Sequence, residues 1–445
     1  MTEAISRVKP AENPLTMETF VNQTLDDIFS ACTRCGRCVE VCPTVPFSGL
    51  SDAAPKDVIS DVLSSLRDDV TMSADADKWI STCNGCGDCI PACPEDINVR
   101  QLISMANSKV AKNKDKTPYA FRKMARAIRI MVGMQLIPDD VARLLRPKAV
   151  RDADVIFYTG CNPIRTPHVL FNVMTMLDEL DVDYEVMGGT SACCGVVHSK
   201  WEGDLKTGGR VTERTLHKFG DFKPQKVLNW CPTCQIHLTE TLKGYRKVEF
   251  SFDHITKFLL EREEELISRF TTPVNMQVAV HTHSGVPEVG AAVMRLLRAV
   301  PGLTIVEELQ EPAYMCGASG SEKALEMKEH YRAKTVERSK CNDIDALVTL
   351  YHACHLQLSS DGRKHGFQTI NYTDILVRAM GLEPCPDTVE PYRAIGDWEQ
   401  MVHEAKPYLE ANNIDIDTEE LIAVLPEVFT SAEFKGGLCR FAPQA

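Results

Sequence analysis

Residues 32–43 read CTRCGRCVEVCP and residues 83–94 read CNGCGDCIPACP. Each stretch sets three cysteines two residues apart, then a fourth after three more, followed at once by proline. Gaps of two let three thiolates converge from one tight loop, while the fourth turns away and reaches the neighbouring centre. The spacing therefore predicts two [4Fe–4S] cubane clusters with exchanged ligands: Cys32, Cys35, Cys38 and Cys93 on one, Cys83, Cys86, Cys89 and Cys42 on the other. Gly36, Gly85 and Gly87 would let backbone amides approach the sulfides. Zinc also takes four cysteines, but two full copies of the pattern argue against it. Such a pair of clusters is a short electron wire with no substrate chemistry of its own.

This is the spacing of two-cluster ferredoxins. Between the motifs, residues 55–67 show helical periodicity at Val58, Ile59, Val62 and Leu66. The chain is polar and charged over 109–118, which reads as a linker, and 119–151 reads as two helices broken near Pro138.

Beyond it the chain is duplicated. The first copy runs strand DVIFYTG (154–160), helix HVLFNVMTMLDEL (168–180), strand YEVMG (184–188), Cys193-Cys194-Gly195, a helix ending near Phe219, strand KVLNW (226–230) and the turn CPTC (231–234). The second runs QVAVHTH (277–283), VGAAVMRLLRAV (289–300), TIVEEL (304–309), MCG (315–317), a helix near 321–340, ALVTL (346–350) and YHAC (351–354). Alternating strands and helices predict parallel sheets in two pseudo-symmetric α/β units. The expected fold is thus α+β and multidomain. A helical two-cluster ferredoxin domain (1–108) is followed by a basic helical linker (109–151), a first α/β unit (152–270), a second (271–382) and an irregular tail (383–445).

The set Cys161, Cys193-Cys194-Gly195 and Cys231-x2-Cys234 resembles the CCG, or cysteine-rich, domain of heterodisulfide reductase. From about residue 25 to about residue 380 the chain resembles a fusion of that enzyme's two-cluster ferredoxin subunit with its tandem-CCG catalytic subunit. Iron–sulfur subunits of glycolate oxidase, anaerobic glycerol-3-phosphate dehydrogenase and lactate-utilisation systems are similar in layout. The resemblance implies that Cys161, Cys193, Cys194, Cys231 and Cys234 hold one noncubane [4Fe–4S] cluster, with Cys193 and Cys194 catalytic. The residues alone place five thiols at the carboxyl ends of strands, where such sheets bind ligands. A reduced-thiol cluster or a zinc site would use the same positions.

In the second copy Ser284, Met315 and Tyr351 stand where cysteines belong, and only Cys316 and Cys354 remain. His281, His283, His352 and His355 flank them. Three readings follow. Cys316, Cys354 and some of these histidines hold zinc or another metal. His283 and His352 line the cavity facing the intact centre and act catalytically as proton donors. Or the unit is retained for packing alone. Cys341, Cys385 and Cys439 fit no motif and read as small buried hydrophobes.

With 445 residues, 44% hydrophobic, and a net charge of −13, the chain is not a general nucleic-acid binder. Residues 109–151 nonetheless carry a net +9, against −22 for the remainder, so they form either a solvated helical face or a dock for an acidic partner or an anionic membrane surface. The cysteine spacing indicates metal ligation in a reducing compartment. No secretory signal or spanning segment is evident, so the expected location is cytoplasmic or peripheral at the inner face of the membrane. Nucleotide loops of the GxGxxG type are absent, so a flavoprotein partner must supply the junction between two-electron and one-electron chemistry. The leading expectation is an iron–sulfur subunit of a heterodisulfide-reductase-like complex acting on a small disulfide or dithiol. The rival is a pure relay from a flavin dehydrogenase of hydroxy acids or glycerol phosphate to quinone.

Overall fold

The computed structural model describes residues 15–50, 52–113, 120–146, 149–282, 285–309 and 325–430. The first domain contains helices α1 (Met17–Ala31), α2 (Arg37–Glu40), α3 (Pro55–Asp68), α4 (Ala74–Thr82) and α5 (Val99–Asn113). Two of them deliver cysteines. Thr16 caps α1 by accepting from the Thr19 amide, and the helix stops at Cys32. Ser73 caps α4 by accepting from the Ala76 amide, acidic Asp75 and Asp77 occupy its first turn, and it stops at Cys83. Val58, Ile59, Val62 and Leu66 are buried on one side of α3, as their spacing predicts. Helix α5 continues through Asn113, beyond the boundary expected at residue 108.

Helices α6 (Ala120–Gln135) and α7 (Pro138–Leu145) meet at Pro138, the break read from the sequence. Their basic residues are partly neutralised within the chain. Arg126 pairs with Glu420, and Arg151 just beyond them bridges Asp183 at 2.7 Å and Glu185 at 2.6 Å.

The first α/β unit comprises β1 (Val155–Gly160), α8 (Pro167–Glu179), β2 (Tyr184–Gly188), α9 (Leu205–Asp221), β3 (Lys226–Asn229), α10 (Pro232–Ile236), β4 (Ser251–His254), α11 (Ile255–Glu261) and α12 (Glu263–Ser268). The second comprises β5 (Met276–His281), α13 (Pro287–Arg298), β6 (Leu303–Leu309), α14 (Leu325–Cys341), β7 (Ala346–Thr349), α15 (His352–His365), β8 (Gln368–Asn371) and α16 (Tyr372–Ala379). Both sheets are parallel and share one topology, β2-β1-β3-β4 and β6-β5-β7-β8. Strand β1 is central, with Val155 opposite both Tyr184 and Lys226. The inner strands are buried on both faces, so they read as apolar runs and not as alternations.

Each sheet has a fourth strand that sequence reasoning missed. Strands β4 (SFDH) and β8 (QTIN) are four residues long and partly polar, and they exist by pairing to β3 and β7. Nor is the tail irregular over its described residues, which end at 430. It forms α17 (Val389–Ile395), α18 (Trp398–Ala411) and α19 (Thr418–Thr430), and α18 and α19 pack against α6.

The two units share one core, in which Trp230 stacks on Tyr372 at 6.0 Å and Thr256 and Tyr372 hydroxyls lie 2.7 Å apart. The ferredoxin domain packs on the first unit through α1 and α9, with Phe20 and Tyr245 rings 5.3 Å apart.

Candidate iron–sulfur site

Cys32, Cys35, Cys38 and Cys93 ring one hollow, together with Gly36. Cys42 acts electrostatically on Cys83, Cys86 and Cys89 instead of on its own motif, while Cys93 acts on Cys32 and Cys38. Burial pushes the Cys38 thiol up to about 12, and neighbouring cysteines add to the shift. Cys86 and Cys89 are raised for the same first reason. Such grouped thiols cannot all ionise unless a cation shares the pocket. Gly36, Gly85 and Gly87 all have positive φ. At Gly36 a Cβ would meet the Lys56 nitrogen and the Pro55 carbonyl carbon at 2.8 Å, so glycine also allows the start of α3 to seat against this loop.

The CCG motif of the first unit gathers five cysteines at the carboxyl ends of β1 and β3. All are buried: Cys193 is 0% exposed and Cys194 1%. The sulfurs of Cys194 and Cys234 lie 3.5 Å apart. Hydrogen bonds from Cys161 and Cys194 hold Cys193 well below the usual thiol range, and a bond from Cys234 lowers Cys231. Cys161 and Cys194 are raised by sharing with Cys193, and Cys234 by sharing with Cys194. The five thiols thus form one hydrogen-bonded group, in which bound iron would replace the shared protons. Gly160, at φ +76°, brings the chain to within 3.2 Å of the Cys234 sulfur as measured from an added Cβ. The Gly195 amide points at Cys193 Sγ at 3.4 Å, the kind of contact that stabilises a ligating thiolate. His237, 3% exposed, has no hydrogen-bond partner at either ring nitrogen. Burial, then Lys200, lowers it to about 4, against the opposing effect of Cys193. The donor set, the glycine cradle and the orphaned imidazole fit an iron–sulfur cluster.

The segment Val197–Trp201, directly after the motif, packs against α5. Its Lys200 acts electrostatically on both Cys83 and His237. The motif that begins at Cys83 therefore lies nearer the CCG cysteines. Arg100 secures this junction. It donates to Gly85 O at 3.0 Å, to Gly285 O at 2.7 Å, and to Glu240 through Nε at 3.2 Å and Nη2 at 2.5 Å.

In the second unit, His283, Ser284, Met315 and Cys316 lie outside the described residues. Cys354, His281 and His352 are buried. Burial, then Arg165, lowers His352 to about 3, so the ring is neutral. Arg165 itself is fully buried between the units, lowered to about 9 by burial and Arg393 while Cys161 opposes the shift. Of the cysteines outside the motifs, Cys341 is exposed, which corrects the buried-hydrophobe reading there, while Cys385 is half-buried and packs against the core; Cys439 lies outside the described residues.

Sequence reasoning did not find Arg100, Arg165, Lys200, His237 or Glu240. The spacing of Lys200 and His237 just after two ligand motifs was the available signal for those two; the others have none.

Residues 28–97 match the 4Fe-4S dicluster domain and residues 155–239 match the cysteine-rich, or CCG, domain. The chain is similar to one of the subunits of the fumarate reductase (CoM/CoB) from Methanothermobacter marburgensis, at 24% identity covering 84% of this chain and 74% of that protein. It is similar to one of the subunits of the dihydromethanophenazine:CoB--CoM heterodisulfide reductase from Methanosarcina mazei, at 25% identity covering 79% and 94%. It is also similar to the probable glycolate oxidase iron-sulfur subunit from Bacillus subtilis, at 21% identity covering 79% and 94%. The chain is an iron–sulfur protein related to oxidoreductase subunits. Among the described residues no helix is long and apolar enough to cross a membrane.

Proposed function

We propose that this chain is the iron–sulfur subunit of a heterodisulfide-reductase-like complex, carrying electrons between a flavoprotein partner and a disulfide–dithiol couple. Cys32, Cys35, Cys38 and Cys93 hold one cubane cluster, Cys83, Cys86, Cys89 and Cys42 the second, and Cys161, Cys193, Cys194, Cys231 and Cys234 a noncubane cluster. When bound, the clusters supply one-electron steps at the cubanes and a sulfur-reactive iron centre at the CCG motif. The reaction is a disulfide plus two electrons and two protons giving two thiols, or its reverse.

The observation that carries this reading is the junction itself. Lys200 acts on both Cys83 and His237, and Arg100 ties Gly85 to Glu240. The order along the chain is then the Cys32 cluster, the Cys83 cluster, and the CCG centre. The cationic Lys200 stabilises a thiolate at Cys83 on one side of the last gap and keeps His237 neutral on the other. Arg165, close to Cys161 in the seam between the units, offers positive charge to a thiolate. His283 and His352 of the second unit are the proton carriers; His352, held neutral, passes a proton on and does not store one.

The deciding experiment is EPR of anaerobically purified protein under oxidising conditions, with and without added thiols. A thiol-dependent paramagnetic signal, lost in Cys194→Ala while both cubanes still reduce, is the expected result. Its absence from wild type, with full iron content and electron transfer to quinone, would make the chain a relay for a flavin dehydrogenase.

A further inference from the structure

We propose that His168, His355 and Asp387 bind a zinc ion where the two α/β units meet the C-terminal segment. His168 is the second residue of α8 in the first unit, His355 lies in the first turn of α15 in the second, and Asp387 precedes α17. One ligand atom from each lies within 4.8 Å of the other two, the only such trio of histidine, cysteine or acidic residues among the described residues. His355 Nε2 is 2.7 Å from Asp387 Oδ2, His168 Nδ1 is 3.6 Å from Asp387 Oδ1, and the two imidazoles meet edge to face at 4.9 Å.

The second observation is the state of His168. Its side chain is 1% exposed, and neither ring nitrogen has a hydrogen-bond partner. An imidazole buried in this way gives up its hydrogen bonds to water without replacing them. A cation facing His168 Nδ1 and the carboxylate would give that nitrogen a partner. Two imidazoles, a carboxylate and a water form a regular zinc donor set.

The carboxylate is already oriented. Asp387 Oδ1 accepts from the Val389 amide at 2.8 Å and the Glu390 amide at 3.4 Å. Its loop is anchored at both sides, by the Cys385 amide donating to Asn172 at 2.8 Å and by the Thr388 hydroxyl donating to Gln135 at 2.7 Å. Such outer partners are what a metal ligand needs to keep its direction. Tetrahedral bonds of about 2.0–2.1 Å hold ligand atoms about 3.3 Å apart. The His168–Asp387 pair stands close to that separation. The His355 contact is to the other carboxylate oxygen, Oδ2, and must open by roughly 0.6 Å as zinc replaces the shared proton.

This site uses no cysteine, unlike the metal site that one reading of the second copy drew from Cys316, Cys354 and nearby histidines, and is independent of the chemistry at the CCG centre. Its consequence is mechanical. It would fasten α8, which follows Cys161 and Arg165, to the second unit and the tail, so that the unit with the degenerate motif braces the intact one.

The test is metal analysis and zinc K-edge X-ray absorption on full-length protein purified anaerobically without chelators, then dialysed against zinc. About one zinc per chain is expected, with only nitrogen and oxygen in the first shell and an imidazole outer-shell pattern. His168→Ala and the isosteric Asp387→Asn should lose it while keeping wild-type iron content and cubane EPR; Cys354→Ala should keep it. Wild-type protein that neither carries nor takes up zinc overturns the proposal and leaves a His355–Asp387 ion pair. Sulfur in the first shell, or zinc retained by His168→Ala, overturns it equally. The wild-type spectrum decides the matter even if a variant fails to fold.

Discussion

Arg100 of the ferredoxin domain holds Glu240 of the first α/β unit across 140 residues of sequence, by bonds of 3.2 and 2.5 Å. The same guanidinium reaches the carbonyl of Gly85, inside the second cluster motif. One side chain therefore sets both the position of that motif and its distance from the CCG cysteines.

Arg100→Ala should loosen this junction. The Arg100 side chain is 10% exposed and that of Glu240 30%, so we expect a loss of about 1–3 kcal/mol, below that of a fully buried pair. The more telling effect is slower electron arrival at the CCG centre, seen by rapid-freeze EPR, with both cubanes intact. Glu240→Gln should behave similarly, and Arg100→Lys should rescue it only in part because lysine lacks the fork. Wild-type rates in all three would show that Arg100 does not govern the gap.

Exchange of the fourth ligands is testable directly. Cys42 faces the Cys83 motif and Cys93 faces the Cys32 motif. On the proposed ligand assignment, Cys42→Ser should alter the EPR and potential of the cluster assigned to Cys83, Cys86 and Cys89. Cys93→Ser should alter the other. Damage confined to the cluster of each cysteine's own motif would contradict the structure.

Gly160→Ala should remove the third cluster alone. The added methyl would stand 3.1 Å from Cys231 Cβ and 3.2 Å from Cys234 Sγ, on a backbone with φ +76°. Iron should fall from about twelve to about eight per chain, with two four-iron cubanes retained. Retention of all the iron would show that the strand end can move away.

His254 makes a specific pH prediction. Its Nδ1 caps α11 by accepting from the Thr256 amide at 3.2 Å, and its Nε2 lies 3.1 Å from the Trp230 carbonyl as donor. The Nδ1 bond needs the neutral ring, and burial lowers its pKa from 6.5 to about 4 although the Nε2 bond, which survives protonation, opposes the shift. Between these values the unfolded chain binds the extra proton, so stability is full above pH 6.5 and declines as pH falls towards 4. The contribution lost is at most about 3 kcal/mol. Anaerobic denaturant titrations at several pH values should show a shallower acid decline for His254→Asn. An identical slope would mean that His254 does not carry the effect.

The two cluster motifs, the CCG set and the duplication were legible because each is a short-range pattern. Metal geometry constrains neighbouring residues, and a repeated α/β unit repeats its apolar runs. Strands β4 and β8 were not legible, because SFDH and QTIN carry no apolar run and become strands only beside β3 and β7. The tail helices were missed likewise, since the surface they cover belongs to α6.

The sequence by itself determined which cysteines can act together and that two parallel α/β units follow a helical cluster domain. Only the tertiary structure decided which cluster motif faces the CCG centre, through Lys200 and Arg100, and that His168, His355 and Asp387 converge. The physical reason is range. Ligand spacing and periodicity act over a few residues and leave a written pattern. A contact between residues 140 or more apart depends on surfaces that meet only after each unit has folded, and nothing near either residue in the chain records it.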